Sequence, residues 1–107
     1  VQIGLQLIDR LEALHEAGFL FIDLKPDNIL VGSLNMHSVD SSTIYLIDFG
    51  MSRTYLKIKP GQPIRRPEVT KFFAGNANFA SKYAHHYQEQ SPRDDLISLM
   101  YLLVYLY

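Results

Sequence analysis

Two short polar loops, each framed by apolar residues, constrain this 107-residue chain more than anything else in it. The first lies in Leu20-Phe21-Ile22-Asp23-Leu24-Lys25-Pro26-Asp27-Asn28-Ile29-Leu30 and gathers an acid, a cation and an amide within six residues. The second, Ile47-Asp48-Phe49-Gly50, follows another apolar run. Pro26 fixes its own φ and restricts Lys25, so the first loop is stiff. Either piece alone reads as turn chemistry. Together, in this order and with strand-like runs between them, they ask for a fold that brings both to one place.

The flanking chain supplies such a fold. Ile3, Leu7, Leu11 and Leu14 recur at helical spacing, with Ile8 widening the stripe, and predict a helix over Val1–Ala17. Gly18 follows where a left-handed residue ends a helix cheaply. His15, in the last turn, reads as a surface histidine at a helix end. Phe19 to Ile22 would pack the approach to the loop. Ile29-Leu30-Val31 and Thr43–Ile47 read as two short strands of one hairpin, joined by a polar loop over Gly32–Ser42 that holds an exposed His37. Ser91-Pro92-Arg93-Asp94-Asp95 reads as the start of a last helix, through a cap, an N1 proline and two acids at the positive end. Leu96, Ile97, Leu99, Met100, Leu102, Leu103, Val104 and Leu106 then cover every face, which predicts a helix buried all round as a central pillar.

Between the loops and this helix, Met51–Phe73 has no sustained period. Four residues, Pro60, Gly61, Pro63 and Pro67, break it, and Arg53, Lys57, Lys59, Arg65, Arg66 and Lys71 make it basic. It is either a segment that meets an acidic substrate or a solvated loop. Ala74 to Ser81 is small residues around Phe79, as a close-approach platform needs. His85 and His86 are adjacent, so their side chains diverge, a poor spacing for one metal.

Bulk properties narrow the field. A net charge of −1 argues against nucleic acid or a membrane surface as partner. The absence of Cys excludes disulfides and thiolate metal sites and fits a reducing compartment, so the cytoplasm or nucleus is the expected location. The longest apolar run, Leu99 to Tyr107, is far short of the about 20 residues of a membrane helix.

The two loops are similar to the catalytic loop and metal-binding turn of protein kinases. Asp23, Leu24 and Asn28 fall in register with one, and Asp48-Phe49-Gly50 completes the other. Through Gln6 to Gly18, Asp23 to Asn28, Ile47 to Gly50, Gly75 to Ser81 and Glu89 to Leu99, the chain resembles the casein kinase I family of serine/threonine kinases. The resemblance implies an α+β, mainly helical fold, part of the kinase C-terminal lobe with a short β-hairpin beneath the catalytic site. It implies that residues 1–107 are a partial kinase domain without the N-terminal lobe. It implies ATP and Mg²⁺, and protein substrates with Ser or Thr acceptors. By position, Asp23 would be the catalytic base and Lys25 the phosphate-contacting lysine. Asn28 and Asp48 would be the metal ligands, and Asp95 would anchor the catalytic-loop backbone.

The departures from the family also carry expectations. Phe21-Ile22 stands where His-Arg is usual, which removes a hydrogen-bonding brace and an anion contact. Asn78 stands where the family has an anion-binding Arg, and Ala74 and Asn76 replace threonines. Met100 replaces a helix Gly, which predicts altered packing. Three functions stay open: a kinase, a pseudokinase or scaffolding module that kept its loop acids, and an unrelated helical interaction domain.

Overall fold

The structure, a computed structural model, describes residues 2–32 and 42–107. Val1 and residues 33–41 lie outside the described residues, and with them His37 and most of the loop read over 32–42.

Helical spacing becomes α1, Gln2–Glu16. Leu7 and Leu11 are fully buried and Leu14 packs against the same core. The buried stripe starts at Gly4, however, and Ile3 and Ile8 are exposed. The reason is a close approach: a Cβ on Gly4 would stand 3.2 Å from Leu103 Cδ1. Gly18 follows the helix at φ +93, in the left-handed region.

The chain then forms β1, Phe19–Leu20, enters the loop through a 3₁₀ turn at Pro26–Asn28, and leaves it as β2, Ile29–Val31. The next strands are β3, Ile44–Leu46, and β4, Arg53–Thr54. The expected hairpin is present: β2 pairs antiparallel with β3, Ile29 facing Leu46 and Val31 facing Ile44. A second small sheet was not expected. In it β1 pairs antiparallel with β4, Phe19 facing Thr54.

After the irregular, largely exposed stretch 56–73 come a single helical turn, α2, Lys82–His85, and the last helix, α3, Pro92–Leu106. Leu7 and Leu11 of α1 meet Leu99 and Leu102 of α3 in one core, closed by Phe21, Leu24, Ile44 and Phe79. α3 is not buried on every face. Asp94, Asp95, Ser98, Leu99 and Leu102 are buried, while Leu96, Met100, Tyr101, Val104, Tyr105 and Leu106 are exposed. A helix is covered only where something packs on it, and the described residues offer α1, the loop and Phe79 on one side. Met100, 62 % exposed, therefore makes no core contact here. No helix among the described residues is long and apolar enough to cross a membrane.

Gly75 ties the platform to the loop. Its φ is +111, and a Cβ there would lie 2.9 Å from the carbonyl oxygen of Ile22. That contact is with backbone, which cannot swing away. In the full-length protein, Gly75→Ala is expected to cost about 1–3 kcal/mol through strain at an unfavourable φ and a displaced loop. Thermal melting measures it, and an unchanged midpoint would contradict the close approach.

Candidate active site

The first loop brings three of the four predicted site residues into direct contact. Asp23 is buried, and its Oδ2 lies 3.2 Å from Lys25 Nζ. The same oxygen accepts a hydrogen bond from Asn28 Nδ2 at 3.2 Å. That amide nitrogen also donates to the Asp23 carbonyl at 2.8 Å, so the Asn28 side chain staples the loop across its own turn. With Nδ2 spent on Asp23, the amide offers its Oδ1 to any cation.

Asp48 follows the second strand of the hairpin. Ile47 N–H donates to the Asn28 carbonyl at 3.0 Å, and Asp48 is the next residue. It is exposed, at φ 61, with Oδ1 accepting Gly50 N–H at 3.2 Å. Asp tolerates the left-handed region better than most residues. The turn thereby leaves one carboxylate oxygen uncommitted. Two hard oxygen donors, Asn28 Oδ1 and Asp48, suit a magnesium ion, which keeps several waters and takes few protein ligands. No group of three or more His, Cys, Asp or Glu that could hold a metal is found among the described residues. His85 Nε2 lies 3.0 Å from the Ala77 carbonyl, and its ring stacks on Phe73.

The backbone of the loop is held from α3. Asp95, 1 % exposed, accepts Phe21 N–H on Oδ2 at 2.8 Å and Ile22 N–H on Oδ1 at 2.9 Å. His15 Nε2 lies 2.8 Å from the same Oδ2. His15, read from its place in the last turn as a surface histidine, is therefore the third partner of a buried carboxylate, 80 residues away in the chain. Asp94, beside Asp95, accepts Ser91 N–H at 2.8 Å and the Ser81 hydroxyl. Ser81 Oγ in turn caps α2 by accepting Ala84 N–H at 3.1 Å. The platform is thus fastened to the start of α3.

The two unusual residues before Asp23 are accommodated by packing. Phe21 is fully buried and meets the Phe49 ring edge-on, with centroids 5.3 Å apart. An aromatic contact stands where the expected hydrogen-bonding brace is missing. Ile22 is buried with Leu20 and Ala74, and Tyr55 packs against them. This apolar contact adds to the pairing of β4 with β1 in holding the stretch after Asp48. Beyond it, the basic residues are exposed. Arg65 is paired with Glu89 at 2.7 Å and Glu68 at 3.2 Å, and the hydrogen bond and charge of Glu89 raise its pKa further.

A cavity of about 420 Å³ opens beside Lys25, Pro26 and Asp27. Asn76, Asn78 and Phe79 of the platform line its other side, with Tyr101, Val104 and Tyr105 of α3. Asp23 and Asp48 are not among its lining residues.

A carboxylate held by a lysine and an asparagine, a second acid just past the hairpin's second strand, and a buried aspartate gripping the loop backbone are the parts that the protein kinase signature asks for. The protein kinase domain family matches residues 1–106, and the chain belongs to it. Its relatives are more particular. It is 39 % identical over 107 residues to a casein kinase 1-like protein of Oryza sativa subsp. japonica. It is 42 % identical over 106 residues to a probable casein kinase I homolog of Encephalitozoon cuniculi, and 37 % over 105 to one of Kluyveromyces lactis. These alignments cover 97 %, 98 % and 98 % of this chain, but the chain spans only 14 %, 30 % and 19 % of the respective relatives.

Proposed function

We propose that the full protein transfers the γ-phosphate of MgATP to Ser or Thr hydroxyls of protein substrates, with residues 1–107 forming part of its kinase domain. The observation that carries this reading is the Asp23 carboxylate, shared between Lys25 and Asn28 on a loop whose backbone is gripped by a second buried acid. Asp23 orients the acceptor hydroxyl and takes its proton. Lys25, 3.2 Å from Asp23, would offset charge on the transferring phosphate. Asn28 and Asp48 would hold Mg²⁺, which when bound neutralises charge on the phosphate oxygens. The Ser/Thr preference is supported by the relatives, which carry the name casein kinase I.

The cavity beside Lys25 is the natural place for the residues flanking the acceptor. Among the described residues that line it, Lys25 is the sole cation and is already paired, while Asn78 is uncharged. Little preference for phosphate-primed peptides is therefore expected.

The test is a peptide-array assay of the full-length protein with MgATP. Transfer to Ser and Thr peptides, primed and unprimed alike, is the expected result. Background signal on every peptide would favour a scaffolding module; strong selection for primed peptides would refute the role given to Asn78. The 107-residue chain alone should give no turnover, since it contains neither a Gly-rich loop nor the strand lysine that hold the ATP phosphates.

A further inference from the structure

The hairpin that joins Asn28 to Asp48 is too short to hold its own register. It has three residue pairs, Ile29 with Leu46, Leu30 with Tyr45 and Val31 with Ile44. An isolated two-stranded ribbon is marginal in water, and a slip of one residue turns every side chain to the other face. Gly32 N–H donates to the Thr43 carbonyl and Ile47 N–H to the Asn28 carbonyl, so these residues of the β3 side face β2. Ile44, alternating with them, turns its N–H and C=O to the outer edge, where a third strand would sit.

Among the described residues no strand sits there; α1 does. Gln6 Oε1 accepts Ile44 N–H at 2.9 Å, and Gln6 Nε2 donates to the Ser42 carbonyl at 2.9 Å. Arg10, one turn further along the same helix face, donates from Nε to the Ile44 carbonyl at 3.4 Å. The amide of Gln6 thus pairs with β3 as a strand backbone would, and the Ile44 side chain is locked in the core beneath it.

We propose that Gln6, seconded by Arg10, is a positioning residue that fixes the register of this hairpin and through it the separation of Asn28 and Asp48. The proposal rests on the reading of those two residues as ligands of MgATP. It assigns a metal-site role to residues that touch neither metal nor substrate.

The test uses the full-length protein with Gln6→Met, which keeps the length and apolar stem but removes both hydrogen-bonding functions, and with Gln6→Glu, which keeps the acceptor alone. The Mg²⁺ concentration for half-maximal rate should rise about tenfold in Gln6→Met, since small misplacements at a distance are amplified at the reacting centre. Gln6→Glu should fall between, and the KM for acceptor peptide should stay within about twofold of wild type in both. Amide exchange at Ile44 should quicken, and the MgATP-induced rise in melting temperature should shrink. A merely structural role would lower all kinetic parameters together with the melting temperature, and that pattern overturns the proposal, as does an unchanged Mg²⁺ dependence. If the wild type transfers no phosphate, the enzyme reading alone fails. The clamp is then judged by exchange at Ile44 and by the MgATP melting shift, and values unchanged in Gln6→Met overturn it.

Discussion

Full-length protein carrying Asp23→Asn should lose about 10²–10⁴-fold in phosphate transfer while melting close to the wild type. The two expectations come from different properties of one side chain. Asp23 is 8 % exposed and its carboxylate contacts Lys25 and Asn28 within 3.2 Å. Asparagine has the same size and leaves the surrounding packing in place. It cannot take up a proton, and it replaces a charge that partners Lys25 with a neutral group. Lost catalysis should therefore appear without lost fold. Comparison of kcat/KM for the two proteins, with melting curves alongside, measures both. Equal transfer rates would remove Asp23 from the chemistry; a large drop in melting temperature would make its role structural first.

What was legible in the sequence follows the range of the interactions. Asp23, Lys25 and Asn28 contact one another within one stiff turn, and their spacing announces them. The start of α3 was legible for the same reason, because Ser91, Pro92 and Asp94 act on adjacent backbone. The pairing of β1 with β4 was not legible, since two-residue strands are too short to show alternation. Gln6 and His15 looked like ordinary polar helix residues because their partners, Ile44 and Asp95, are distant in sequence. The reading of α3 failed differently. A pattern shows that all faces of a helix are apolar; it does not show which face is covered, and Val104 and Met100 stay largely exposed among the described residues. At Phe21 and Ile22 the sequence showed what was lost, and the structure adds what replaces it: contacts with Phe49 and with Ala74 and Tyr55.

Replacing Asp95 should be the most damaging single change to the fold of this region. Its carboxylate, 1 % exposed, accepts from Phe21 N–H, Ile22 N–H and His15, all within 2.9 Å. In Asp95→Ala the two backbone donors are left buried with no acceptor, and each such orphan costs about 1–3 kcal/mol. Ile22 adds to the loss. It is β-branched and sits at φ 73, a conformation that costs about 1–3 kcal/mol and persists only when its surroundings hold it. Asp95 Oδ1 is one such hold, so its removal lets the strain relax by moving the loop. The expected cost is about 3–5 kcal/mol, as for breaking other buried polar networks by removal of one partner. Asp95→Asn should recover little of it, because one of its two polar atoms becomes a donor facing donors. His15→Ala removes one of three partners and should cost less, about 1–2 kcal/mol. Because Asp23 follows Ile22 directly, relaxation at Ile22 moves the proposed base, and transfer should fall with stability in the Asp95 variants. Denaturant unfolding of full-length Asp95→Ala, Asp95→Asn and His15→Ala gives the order. A cost for Asp95→Ala below that of His15→Ala would show that Asp95 does not hold the loop.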